Sequence, residues 1–297
     1  MVFLCWNKRL STAMITQSIL NGLVLGGIYI LVALGLTIVL SIMGIVQLAH
    51  GEVYMLGAYA MYYLCARAGL NFFLAMLISA LLVGGLGVFL EKFFFRPFRG
   101  EMDRAIIIAI GLILLLQNAV LVTAGGMPKA FVSPFSGVVS VLGVTLSWER
   151  LMVVSIAFGF VLILFFLVKG TKVGKAMVAI SQDREVAALQ GINIDRISSF
   201  AMFLGCAFAA VAGALIGALF SVNPFMGGFA LMKGIAVIIL GGMGSILGAV
   251  LGGVILGLID GIVPVFSTTH MASLIGFGFI ILILLFRPQG ILGREYE

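Results

Sequence analysis

Apolar runs of roughly 18 residues or more without a charged side chain leave a chain only one solvent for most of its surface, the hydrocarbon of a bilayer. Such runs recur throughout this sequence, the first of them from Met14 to Leu40. Composition agrees: 63% of the 297 residues are hydrophobic and 9% are charged, where soluble domains carry about 25% charged residues. A net charge of +6 raises the question of nucleic acid. The 17 basic residues, however, sit at the ends of apolar segments rather than in one field, which fits membrane orientation and no nucleic-acid partner.

About 20 residues cross the hydrocarbon as a helix. The pattern predicts an all-α, polytopic transmembrane bundle with spans near 14–40, 44–65, 70–91, 105–124, 151–168, 198–221 and 270–286. A broken pair at 230–240 and 246–263 brings the expected number of crossings to eight or nine. Lys8 and Arg9 before the first run imitate a secretory leader, but that run is too long and lacks a clear cleavage site, so it is taken as the first span. No linker divides the chain, and residues 1–297 form one membrane domain with a polar segment at 169–197. Positively charged loops stay in the cytoplasm. Eleven of the 17 Lys and Arg residues fall in 92–104, 169–196 and the carboxyl tail with Arg287 and Arg294, which predicts a cytoplasmic carboxyl terminus. Lys8 and Arg9 run against that arrangement.

Glycine supplies 39 of 297 residues, about 13% against about 7% in average proteins. Gly205, Ala209, Gly213 and Gly217 share one helix face; Gly244, Gly248 and Gly252, and then Gly253, Gly257 and Gly261, form others. Small residues at this spacing let helix backbones approach where lipid gives no hydrophobic drive. Gly241, Gly242, Gly244 and Ser245 interrupt an apolar run, and a break is tolerated only where protein or a watery cavity covers the freed backbone groups. A discontinuous helix near 239–246, beside a translocation route, is expected.

Titratable groups are sparse. Cys5, Cys65 and Cys206 stand singly, without metal-ligand spacing, so no metal site or disulfide frame is expected and the cysteines read as packing residues. His50 and Glu52, in GIVQLAHGEVYMLGAY (44–59), occupy a short polar break between apolar runs. Two readings stay open: a role in shaping the pore, since intramembrane charge is costly, or a structural network with Glu52 on the dipole of the following helix. Asp260 and His270 near Pro264 read as interfacial and solvated, Lys233 as a snorkelling side chain, and Gln117 with Asn118 as donors to a neighbouring helix. KGTKVGKA (169–176) imitates a phosphate loop but has Lys169 where the pattern needs Gly and Ala176 where it needs Ser or Thr. No nucleotide site or other cofactor is expected on this chain. The segment 171–195 reads as one short cytoplasmic helix from Lys175 to Gln190, ended by Gly191, with Met177, Val178, Ala188 and Leu189 offering apolar contacts. It would seat in a partner's groove or lie on lipid.

GIVQLAHGEVYMLGAY, FRPFRG (95–100), TKVGKAMVAISQDREVAALQGIN, ILGGMGSILGAVLGG and FRPQGILG (286–293), in that order over nearly the whole chain, resemble the permease subunits of branched-chain amino acid ABC importers, in particular the shorter of the two paralogous permeases. The resemblance implies a cytoplasmic (inner) membrane location, a second permease subunit, two ATP-binding-cassette ATPase subunits that use the ATP, and an extracytoplasmic substrate-binding protein. It also implies a degenerate coupling loop at Glu185, Ala187, Ala188 and Gly191, with Val186 departing from the strict spacing; Gly174 and Asp183 complete the expected ATPase-coupling set. His50, Glu52, Gly241, Gly242, Gly244 and Ser245 are the expected translocation-path residues. The rival reading is a stand-alone ion-coupled secondary transporter or channel using His50, Glu52 or Asp260, and urea or short amides are the rival substrates.

Overall fold

A computed structural model describes residues 2–131, 133, 135, 137–141 and 144–293, without the side chains of 2–13, 139–141, 144 and 146. Arg294 and the side chains of Cys5, Lys8 and Arg9 lie outside it. Eleven α-helices follow in order: α1 (Val2–Met43), α2 (His50–Tyr62), α3 (Phe72–Leu90), α4 (Met102–Ala124), α5 (Trp148–Gly170), α6 (Lys172–Gln182), α7 (Arg184–Leu189), α8 (Ile194–Leu219), α9 (Met226–Gly241), α10 (Ile246–Phe266) and α11 (Thr269–Phe286). Seven of them contain stretches long and apolar enough to cross a membrane, and α9 is a shorter apolar helix, so the polytopic bundle has eight membrane-level segments. One departure from an all-α chain is a small antiparallel ribbon, β1 (Val138–Val141) with β2 (Val144–Ser147), leading into α5.

The expected span at 44–65 starts late. Residues 44–49 form a non-helical link, and α2 begins at His50, running on through a π turn at Tyr63–Arg67. Ten of its 13 residues are buried, so α2 is not a lipid-facing span. It is a central helix wrapped by α3, α8 and α9. By contrast, α4, α5 and α11 turn Ile107, Leu115, Val122, Phe158, Phe166, Ile281 and Leu285 outward, the surface a helix in lipid shows.

Glycine seams hold the bundle. Between α1 and α10, a Cβ on Gly22 would lie 2.8 Å from the Gly257 carbonyl oxygen, and one on Gly26 would lie 2.9 Å from that of Gly253. One index rises as the other falls, so the two helices are antiparallel. On α8, Gly205 meets the Gly35 carbonyl of α1 and Gly213 meets the Tyr54 carbonyl of α2, so the face read from the sequence packs on two partners. The face drawn through Gly244, Gly248 and Gly252 needs correcting. Gly244 precedes α10 and has φ +82°, a turn position rather than a packing one.

Candidate functional site

His50 and Glu52 are both buried, on the first turn of α2, but they do not bond to each other. His50 Nδ1 faces Gln47 Oε1 at 3.3 Å across the link. Glu52 Oε1 lies 3.0 Å from the place a Cβ on Gly227 would take, at the start of α9, and its Oε2 has no hydrogen-bond partner among the described residues. Glu52 thus stands in the first turn of α2 and beside the first turn of α9. An apolar cavity of about 320 Å³ opens between α2, α3 and α4, lined by Leu56, Tyr59, Leu86 and Val120 among others. None of the expected translocation-path residues lines it.

The helix break falls where the glycines put it. α9 ends at Gly241, Gly242 adopts φ +101°, and Ser245 Oγ caps α10 by accepting from the Gly248 amide at 3.0 Å. The carbonyls freed at the end of α9 are taken by the chain itself. The Ile291 and Leu292 amides, in the FRPQGILG segment, donate to Leu240 O at 2.9 Å and Gly241 O at 3.0 Å. Protein thus covers the end of α9, while Met243 and Gly244 of the break stay exposed.

Lys233 and Asp260 do not behave as interfacial charges. The Lys233 ammonium of α9 is buried and lies 2.7 Å from Asp260 Oδ2 of α10, while the Tyr29 hydroxyl of α1 donates to the same oxygen at 2.8 Å. Tyr29, Phe229 and Phe277 present their rings to the ammonium, with centroids 5.8, 5.5 and 6.0 Å away, within the range of cation–π attraction. Desolvation leaves such a group nowhere to go but its partner, so snorkelling is replaced by an ion pair that ties three helices. Asn118 also differs from expectation, donating at 2.8 Å to Leu114 O of its own helix.

The polar segment is two helices rather than one. Asp183 takes an extended conformation, φ −153° and ψ 115°, and its Oδ1 accepts from the Glu185 and Val186 amides at 2.9 and 3.0 Å. An N-cap aspartate of this kind starts a helix, and here it ends α6 and opens α7. Thr171 caps α6 through the Gly174 amide, and Gly191, at φ +78°, closes α7 as expected. Gly174 packs flat against the end of α5, where a Cβ would lie 2.5 Å from the Val168 carbonyl oxygen. Met177, Ile180 and Ala187 face the bundle, so Met177 is no partner contact. Val173, Val178, Val186 and Leu189 face out, Leu189 with 85% of its surface exposed; Asp183, Glu185 and Ala188 share the exposed side.

Sequence reasoning missed Glu91, which lies fully buried in a π turn at the end of α3. Its carboxylate accepts from Arg96 at 2.7 and 3.1 Å, from Arg99 at 2.6 Å and from Ser199 Oγ of α8 at 2.8 Å. Arg99 bridges on to Asp195 in the first turn of α8 at 2.5 Å. Two of the basic residues read as orientation signals are thus drawn onto one buried acid.

Membrane-length helices sealed by glycine seams around a buried central helix, with a capped, amphipathic helix pair at the basic end, define a polytopic membrane protein, and its relatives are permeases. The chain belongs to the family described as branched-chain amino acid transport system / permease component, whose sequence profile matches residues 18–285. It is 35% identical over 293 residues to the high-affinity branched-chain amino acid transport system permease protein LivH of Escherichia coli (strain K12), covering 94% of this chain and 95% of that one. LivM of the same organism, also a high-affinity branched-chain amino acid transport system permease protein, is 27% identical over 294 residues, with 89% of this chain and 68% of LivM covered. The lengths match the shorter, LivH kind. Among solved structures, PsaBC from Streptococcus pneumoniae in complex with Fab has a similar fold, with a TM-score of 0.51 at 12% identity over 91% of each chain.

Proposed function

We propose that this chain is the shorter permease subunit of an ATP-binding-cassette importer that carries branched-chain amino acids across the cytoplasmic membrane. It works with a paralogous second permease, two ATPase subunits and an extracytoplasmic binding protein, and its carboxyl terminus lies in the cytoplasm. The observation that carries the reading is the α6–α7 pair: a capped element whose outward side sets Val178, Val186 and Leu189 among Lys175, Asp183 and Glu185. Such an apolar row suits a partner's groove. In this mechanism ATP closes the two partner subunits, α6 and α7 move with them, and the permease pair rocks between outward-open and inward-open states. Gly174, Asp183, Glu185, Ala187, Ala188 and Gly191 shape the docking element, and ATP is bound and hydrolysed by the partner subunits, this chain taking no cofactor. His50, Glu52 and the 241–245 break belong to the moving bundle.

Leucine uptake into liposomes holding the assembled complex, assayed with and without ATP and binding protein, tests the reading. Uptake that needs both supports it, whereas uptake driven by an ion gradient alone overturns it in favour of a secondary transporter. Preferential uptake of urea or short amides would reassign the substrate. Replacing Leu189 with Glu is expected to leave membrane insertion intact while weakening ATPase association about thirtyfold, the roughly 2 kcal/mol of an exposed anchor at an interface. Co-purification of the ATPase subunits measures it. Gly191→Val, which forces a branched side chain into left-handed backbone at a cost of about 1–3 kcal/mol, is expected to lower substrate-stimulated ATP hydrolysis in the same preparation.

A further inference from the structure

The end of α3 and the first turn of α8 are locked together by charge, and α7 stands next to the lock. Both Glu91 oxygens are fully engaged by Arg96, Arg99 and Ser199. Because a buried carboxylate cannot shed such partners cheaply, the end of α3 stays tied to Ser199 in the second turn of α8. Asp195 is different: half of its side chain is exposed, and Arg99 reaches it with the arm not used on Glu91. That outer link can open without stranding a buried charge. Asp195 stands just beyond the turn at Gln190–Asn193 that joins α7 to α8. Arg184 of α7 belongs to the same field, held below its ordinary range by burial and by the neighbouring Arg99 guanidinium, with Asp195 opposing. α8 in turn packs on α1, α2 and α3, the core of the bundle.

We propose that Arg99 and Asp195 are the positioning residues through which displacement of the α6–α7 pair is passed to α3 and α8. The inference rests on the ATP-coupled reading given above and adds the route within this chain. Glu91 is the fixed hub, and the Arg99–Asp195 pair is the link that tells the hub where α7 is.

The test uses the complete complex in liposomes with Asp195→Asn and Asp195→Glu. Asp195→Asn keeps the exposed side chain isosteric and leaves every bond to Glu91 in place, so it retains the fold. Asp195→Asn is expected to leave assembly and basal ATP hydrolysis within about twofold while lowering substrate molecules carried per ATP at least fivefold, the lower end of typical coupling between sites. Asp195→Glu, which keeps the charge facing Arg99, is expected to retain more than half of wild-type coupling. Wild-type coupling in Asp195→Asn would overturn the relay, and so would equal impairment in Asp195→Glu, which is the mark of a merely structural position. A wild-type complex that moves leucine without ATP would instead remove the functional reading itself, a result distinguishable from either.

Discussion

Substituting methionine for Lys233 is expected to destabilise the protein by about 3–5 kcal/mol, the cost of stranding one charge of a buried pair. The argument turns on solvent. Only 4% of the Lys233 side chain and 9% of the Asp260 side chain are exposed, and the Tyr29 hydroxyl supplies the sole remaining hydrogen bond to that carboxylate among the described residues. Methionine matches the lysine stem, so packing against Phe229 and Phe277 persists while the charge is lost. Making Asp260 neutral as well, in Lys233→Met/Asp260→Asn, is expected to recover most of the loss, since a neutral pair strands nothing. By contrast the Arg104–Glu101 pair, 61% and 48% exposed, is of the kind that contributes about 0–1 kcal/mol, and Glu101→Gln is expected to be neutral. Unfolding titrations of the detergent-solubilised variants measure all three. A wild-type midpoint for Lys233→Met would show that water reaches the pair and that the clamp across α1, α9 and α10 is not real.

That clamp also marks where sequence reasoning stops. Lys233 and Asp260 are separated by a glycine turn, and each alone looks like a charge at a helix end; only the antiparallel return of α10 beside α9 brings them together. Glu91 was hidden for a similar reason. It stands beside four basic residues in 92–104 that were weighed for orientation, and nothing local says that the acid is buried and the arginines fold back onto it. The spans themselves were legible because lipid enforces length and apolarity residue by residue. Gly191 was legible because a left-handed cap is a local device; Ser245, read only as part of the break, could have been found as an N-cap by an equally local rule. Asp183 could have been found by the same rule, since an aspartate ahead of Glu185 and Val186 is a helix start; good helix formers on both sides concealed the break. The centrality of α2 has no sequence signal of its own, because lipid-facing and protein-facing apolar residues look alike. The tyrosines and glycines of GIVQLAHGEVYMLGAY hint at it only in retrospect.

The α1–α10 seam carries the other large effect. A leucine at Gly257 is expected to cost about 3 kcal/mol or more, at or beyond the upper end of overpacking penalties. The new Cβ would lie 2.5 Å from the Gly22 carbonyl oxygen and closer still to the Gly26 backbone. A flexible side chain can swing away, but the obstacle here is backbone on the facing helix, so the two helices must separate along the seam. Separation also spoils Gly253 against Ile30 and Gly261 against Gly22, which gives the penalty its reach. Gly85 and Gly278 supply the control, because nothing lies within 4 Å of a Cβ at either position. Alanine there is expected to be neutral or to stabilise by up to about 1 kcal/mol through helix propensity. The same unfolding titrations rank the three variants. If Gly257→Leu matched Gly278→Ala, α1 and α10 would have to slide on one another rather than stand as a fixed pair, and the rocking of the bundle would have to be sought at that seam instead of at the α3–α8 end.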